Sequence, residues 1–520
     1  MIRLAAAILA LVLGYAGVAD NRAWAGLFDD VKNAFSGDAT GTHLEQLQPD
    51  AEDQATCGGN GNESLLNARV EQGLGVVNAP DLSAYLDGVM GRLVAASPFP
   101  KCRVIVRVTP HATVQAVALA DGGVLIAIGF LRNLKNEDEV AALLAHELSH
   151  ILMEHHASDA FVEAQDKVLK GMDAANIAGG ELLRQYDPGL QRKVESVTAA
   201  GDAAYGVSES MIAPAWTRDQ EDEADFLGTD LLVAAGYNPR AMAAVLQVVG
   251  AHEARHAAVE AEREALTKPT VQQALSDAAN KTNLSDGWSI LDSVTKVVSA
   301  TADSVTEATQ QSHRPASERE KAVKDYTRQF HKKQRRRAYK TEPWTNLLTA
   351  GSSGETFDRY RKASEARRLA NTGGDPKQAL SLAQAGIKGR FSGQSYFRLA
   401  FAEVRLQQGD RKKAERNLEL AMNLTDPPWH IFRAQADMQT NAGDKAGAAA
   451  TIERADALFG RPLGIAPYAI RIHRTAGNTD AVMAYLKRCD DSGKRAHLAA
   501  CLSAAGLTNE QYQKKKLTGG

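Results

Sequence analysis

Cysteine is scarce in this chain. There are four in 520 residues, Cys57, Cys102, Cys489 and Cys501, and none has the close pair spacing of a zinc finger. Charge of one sign is lacking too. Lys and Arg total 60 against 63 Asp and Glu, for a net charge of −3, so there is no general case for nucleic acid as a partner. Long apolar runs are missing after the first residues. No later segment approaches the roughly 20 residues needed to cross a bilayer. What remains is an ordinary globular composition, 24% charged and 44% apolar. The length exceeds what one core usually organises, so two or three domains are expected.

The first 25 residues follow a different pattern. Met1-Ile2-Arg3 carries one positive charge, Leu4 to Ala19 is apolar, Asp20-Asn21-Arg22 is polar, and Ala23-Trp24-Ala25 supplies small residues around a cut. This order predicts an export signal cleaved after Ala25 and an exported mature chain. An uncleaved anchor is the other reading; the run is short for a span and is interrupted by Gly14 and Gly17. In an exported chain the cysteines are free to pair, and Cys57–Cys102 and Cys489–Cys501 are both open.

Residues 26–60 have little periodicity. Helical spacing begins near Glu63 and runs to Ala96, punctuated by Ala79-Pro80, with Leu82, Tyr85, Leu86, Val89, Met90 and Leu93 on one face. Strand-like segments follow at 102–108, 113–119 and 124–128, with Ala120-Asp121-Gly122-Gly123 as a turn. Asn136 is a good N-cap, Glu139 completes a capping-box-like start, and Glu137, Asp138 and Glu139 suit the positive end of the helix dipole. That helix is expected to reach about His156. It carries His146-Glu147-Leu148-Ser149-His150. Residues four apart on a helix are separated by about 40° around the axis and about 6 Å along it. Both imidazoles therefore leave one face and suit a shared Zn²⁺, with Glu147 beside them as a general base.

Residues 158–215 read as mostly helical. A second helix starts at Thr217 and runs through an acidic stretch, Asp219 to Asp225, into Phe226, Leu227, Leu231 and Leu232. It stops at Ala235-Gly236-Tyr237-Asn238-Pro239. Together, residues 117–156 and 218–242 resemble the HtpX- and CAAX-endopeptidase-type zinc metalloendopeptidases, whose pattern is H-E-x-x-H followed by E-x-x-x-D. The resemblance implies that His146, His150 and Glu221 hold one Zn²⁺ per chain, that Glu147 is catalytic, and that Asp225 orients a ligand histidine. Glu221 and Asp225 do share a helix face. Glu223, two residues from Glu221, lies about 200° round the helix, so the two cannot both face the metal.

Ser312-His313-Arg314-Pro315 with Arg319 is similar to the family's T-H-P-x-x-x-x-R stretch, apart from the additional Arg314. That implies a switch ligand at His313 and a site-wall residue at Arg319. Gln115-Ala116-Val117 departs from the N-A-F of many relatives. His155 and His156 are expected at the surface, and His111, His252 and His256 have no partner spacing. Residues 252–311 form a long polar insertion or lid. The basic run His331–Arg337 is expected to end the helix that begins after Pro315, with peripheral contact to anionic lipid or to an acidic partner as the sharper reading.

Beyond a Gly/Ser/Thr linker at 341–355 a period appears. Gly374-Asp375, Gly409-Asp410, Gly443-Asp444 and Gly477-Asn478 are 35, 34 and 34 residues apart, and twelve positions after each glycine stand Gly386, Ala421, Ala455 and Cys489. Small residues at a fixed place let paired helices approach, as in tetratricopeptide repeats. The expected architecture is α+β. A signal at 1–25 precedes a mainly helical zincin-like protease domain with a small sheet at 26–340, and an all-α tetratricopeptide-like solenoid spans 356–520. The apolar strand 124–128 is expected to pair with the substrate backbone. Resemblance to the periplasmic, repeat-bearing members of the family implies a Gram-negative periplasm as the setting, outer-membrane protein quality control as the role, and misfolded or stalled envelope proteins as the substrates. Assembling envelope proteins and outer-membrane assembly machinery are the implied partners of the repeats. The alternative is a mostly latent chaperone or assembly scaffold working through its repeats.

Overall fold

The computed structural model describes residues 41–47, 74–155, 216–255, 257–258, 314–349, 351–425 and 427–518. The export signal, residues 158–215, the insertion beyond 258, Cys57, His156, His256 and His313 lie outside them. Contacts gather the chain into two compact units, Met1–Leu47 and Gln48–Gly520. Of the first, His43–Gln46 makes a single helical turn closed by a Thr42–Glu45 capping box.

In the second unit, α1 (Pro80–Ala96) starts on a proline and buries Leu82, Leu86, Val89, Met90 and Leu93, the face its periodicity indicated. Three strands follow: β1 (Ile105–Thr109), β2 (Ala116–Ala118) and β3 (Gly123–Ala127). Their spatial order is β1-β3-β2, with β1 parallel to β3, Ile105 opposite Gly123, and β2 antiparallel to β3, Val117 opposite Leu125. Every residue of β3 is buried. With a neighbour on each side it has no free edge, so the expectation that 124–128 pairs with substrate is wrong. β1 and β2 are the outer strands, and β2 is the one that lies against the helix Glu137–Leu152.

α2 (Glu137–Leu152) begins as expected. Asn136 Oδ1 accepts from Glu139 N at 2.9 Å, and the Glu139 carboxylate accepts from Asn136 Nδ2 and Lys135 N. It ends at Leu152, short of the expected His156. α3 (Arg218–Ala234) opens with a Thr217–Gln220 capping box and buries every residue from Glu221 to Leu232. A helix spanning 240–255, α4, follows; α5 (Ala316–Phe330) then packs on α3. α5 stops before the basic run, which forms one 3₁₀ turn, Gln334–Arg336. Arg337 Nη1 instead donates to Val233 O and Tyr237 O, so its charge serves the C-terminus of α3 rather than that of α5.

The stretch expected to be a Gly/Ser/Thr linker, 341–355, is largely helical. α6 (Glu342–Thr349) buries Trp344, whose indole N–H donates to Leu134 O at 2.9 Å, and α7 (Gly351–Asn371) begins two residues later. A buried tryptophan tied to the preceding part of the unit is the reason this stretch is ordered structure and not spacer. The remaining helices are α8 (Pro376–Gly386), α9 (Ser395–Gln407), α10 (Arg411–Met422), α11 (Trp429–Asn441), α12 (Lys445–Leu458), α13 (Ala466–Ala476), α14 (Thr479–Asp491), α15 (Arg495–Ala505) and α16 (Asn509–Thr518). The Gly-Asp period has a local cause. Gly409, Gly443 and Gly477 take positive φ between 74° and 80°, closing one helix. Asp375, Asp410, Asp444 and Asn478 then cap the next with a side-chain oxygen. The small positions Gly386, Ala421, Ala455 and Cys489 are buried. Cys489 and Cys501 are joined in a disulfide between α14 and α15. Cys102 is also disulfide-bonded.

Candidate metal centre

His146 and His150, one turn apart on α2, bring their Nε2 atoms to 3.2 Å. The α3 carboxylate Glu221 places Oε2 3.6 Å from His146 Nε2. Donor atoms of the three residues all lie within 4.8 Å of one another. Two nitrogens bound at about 2.0–2.1 Å to a tetrahedral Zn²⁺ stand roughly 3.3 Å apart. Two imidazoles and a carboxylate in this spacing therefore fit a single divalent ion with a position left for water. Burial, with His146 and His155 beside it, holds His150 well below the usual histidine range, so its ring stays neutral and keeps a lone pair.

Close helix packing makes this geometry. A Cβ on Gly228 would come 3.2 Å from His146 N, 3.3 Å from Ala145 C and 2.7 Å from Met242 Cε. The glycine lets α3 lie directly against the backbone that carries His146. One turn and two turns back from it, Asp225 and Glu221 then face the histidines. Asp225 Oδ1 is 3.0 Å from His146 Nδ1. Burial alone would lower the His146 pKa, but the Asp225 bond and charge outweigh it and raise it.

Arg319, on α5, stands behind both carboxylates. Its Nε and Nη2 donate to Asp225 at 2.8 Å each, and its Nη1 lies 2.6 Å from Glu221 Oε2. Asp225 is drawn down despite its burial, because Arg319 and His146 both favour its charged form. The additional Arg314 pairs with Asp222 and with Glu318.

His155 is not at the surface: it is 4% exposed. α2 stops at Leu152, and Glu154 takes a positive φ of 50°, which swings the next residue back under the helix. The His155 Nδ1 sits 2.8 Å from His150 Nδ1, and its Nε2 sits 3.2 Å from Glu223 Oε2. So Glu223, the other acid in reach of the metal by sequence, faces a histidine instead. Trp216 stacks on the His150 ring, with centroids 4.3 Å apart and planes 13° off parallel. Trp216, His155 and Gly228 were missed in the sequence. Only the family-independent rule that ligand histidines need orienting partners could have prompted the search.

Glu147, between the histidines, is buried. Burial and the Glu221 charge push its carboxyl up to about 7, against the downward pull of His146, the Ala118 backbone N–H and Arg319. That N–H locates the strand edge. Leu119 N bonds Gly123 O and Ala127 N bonds Gln115 O, so residues 115 and 119 face β3, and Ala116 and Ala118 point outward toward α2.

Residues 80–327 match Peptidase family M48. Over 204 residues the chain is 30% identical to the β-barrel assembly-enhancing protease of Yersinia pestis, covering 39% of this chain and 40% of that one. The protein of the same name in Escherichia coli K12 is 27% identical over 208 residues, 40% of each chain. The mitochondrial metalloendopeptidase OMA1 of Schizosaccharomyces pombe is 27% identical over 158 residues, 30% of this chain and 41% of that one. The chain thus spans about two fifths of the length of the β-barrel assembly-enhancing proteases it matches. The matched stretch is just under half of the chain; it contains α2, α3 and most of α5, with every side chain of the cluster above, and it marks residues 80–327 as a domain of the M48 metallopeptidase type.

Proposed function

We propose that the chain is a zinc-dependent metalloendopeptidase, with His146, His150 and Glu221 as ligands to one Zn²⁺ and Glu147 as the catalytic residue. The observation that carries this is the 3.2 Å separation of two neutral-capable imidazole nitrogens beside Glu221, with Asp225 behind the first. When bound, zinc would polarise the scissile carbonyl and acidify the attacking water. Glu147 takes a proton from that water and passes it to the leaving amine nitrogen. A carboxyl held near neutrality suits both halves of that transfer. The outward backbone groups of Ala116 on β2 would pair with an extended peptide, laying it across the centre, while the Ala118 N–H stays on Glu147. Arg319 holds Glu221 and Asp225 in place and favours the charged form of Asp225.

The substrates proposed are misfolded or stalled envelope proteins, cleaved in the periplasm. The likeness to two β-barrel assembly-enhancing proteases supports this. So do the disulfides at Cys102 and at Cys489–Cys501, which belong to an oxidising compartment. Among the described residues no helix is long and apolar enough to cross a membrane. The paired helices α8–α15, with their Gly-Asp period, are read as tetratricopeptide-like repeats that dock substrate or assembly machinery. Glu147→Gln tests the core of the reading. Peptide cleavage should fall by at least about 100-fold with zinc stoichiometry unchanged. Full cleavage by that variant would overturn it, and a variant that cleaves nothing yet sustains envelope assembly would favour a scaffold instead.

A further inference from the structure

His146 has a carboxylate directly behind it; His150 does not. The atom His150 turns away from the cluster, Nδ1, meets another histidine, and that histidine meets Glu223. We infer that His155 and Glu223 form a hydrogen-bonded relay that fixes the tautomer and ring plane of His150, so that its Nε2 lone pair is presented to a divalent metal. This rests on the metal-centre reading given above.

The proton positions follow in sequence. A metal on His150 Nε2 requires the proton on Nδ1. That N–H points at His155 Nδ1, 2.8 Å away, which must then accept and so carries no proton. The His155 proton is left on Nε2, where Glu223 Oε2 accepts it at 3.2 Å. Only one assignment satisfies all three groups with both rings neutral. Trp216 clamps the His150 plane from one face, and Gln220 Nε2 donates to His155 O at 3.3 Å, holding the relay's middle member. Trp216, Gln220 and Glu223 all come from the first turns of α3 and its approach. The same helix start therefore offers Glu221 to the metal and Glu223 to the relay, about 200° apart round the axis. This accounts for two acids two residues apart without making them rivals. His155 and Glu223 are positioning residues: they touch neither substrate nor the reacting atoms.

The test uses the full chain, titrated with zinc against a chromophoric chelator and, separately, loaded with Co²⁺ for its visible spectrum. His155→Phe should weaken zinc by about 10–100-fold and shift the Co²⁺ bands. His155→Gln should recover most of both, because an amide can accept from His150 and donate to Glu223. A purely structural role would lower the stability of the metal-free chain with affinity and spectrum unmoved; that result overturns the relay. If His155→Phe does not fold, Glu223→Ala, which leaves His155 in place, decides instead: weakened zinc supports the relay and wild-type affinity overturns it. A wild-type chain that takes up no zinc overturns the metal-centre reading, and the relay falls with it.

Discussion

The α2–α3 pair and the repeat helices secure their polar groups in opposite ways. On α3, buried carboxylates draw partners from far along the chain. Asp225 is held by Arg319, Glu223 by His155, Asp222 by Arg314, and Asp230 by Tyr326 and His331. In the repeats the recurrent anchors are local: Asp410, Asp444 and Asn478 each cap the helix that they begin. Pairs between neighbouring helices, such as Arg367 with Glu403, span only one repeat. The first arrangement aims several charges at one point and is only as good as its weakest member. The second divides the load, so damage should stay where it is made. Substitutions in each region test that difference.

The largest effect is expected at the centre itself. Glu221→Ala should leave a chain that loses its zinc on dialysis, measured by metal analysis, while Asp444→Ala keeps it. Stoichiometric zinc in Glu221→Ala would remove that residue from the ligand set. Next is Arg319→Ala. It strands two buried carboxylates, and losing one partner of a buried ion pair costs about 3–5 kcal/mol. Bound zinc would offset part of that charge, so the cost in urea unfolding should be larger with chelator than with zinc. Equal costs in both conditions would mean that Arg319 supports the fold alone. Gly228→Ala should follow, at about 1–3 kcal/mol, because the new methyl presses on the backbone of His146. Its zinc affinity should fall as well; an unchanged affinity would show that α3 moves aside freely.

How much of this was legible in the sequence depended on reach. His146, Glu147 and His150 sit within one helical turn and a half, where spacing alone fixes direction. The Gly-Asp period is equally local: a left-handed glycine and a capping aspartate act within three residues. Asn136 and Glu139 belong to the same class. Glu221 and Asp225 needed a family resemblance, since no helical rule links α3 to α2. A helix running on to His156 would leave His155 at the surface, whereas α2 ends at Leu152 and the chain turns at Glu154. The edge strand was misassigned for a related reason. The order β1-β3-β2 puts the most apolar strand in the middle, and an apolar run shows burial without showing neighbours. The linker at 341–355 looked polar, and one residue, Trp344, decided otherwise by finding a carbonyl at Leu134.

The smallest effect sharpens the comparison most. Asp444 Oδ1 accepts from Gly447 N at 2.9 Å at the start of α12, a helix that packs on α11 and α13. Removing a cap of this kind costs about 1 kcal/mol. Because α12 packs chiefly on α11 and α13, that cost should fall on α12 and those neighbours. Asp444→Ala should therefore lower the urea midpoint slightly and speed amide exchange in α11 to α13, with zinc affinity and cleavage of a short peptide unchanged. Exchange at His146 and His150 should keep its wild-type rate. If that rate rises together with α12, the two regions unfold as one cooperative body. The local bookkeeping of the repeats would then be true of their hydrogen bonds but not of their stability.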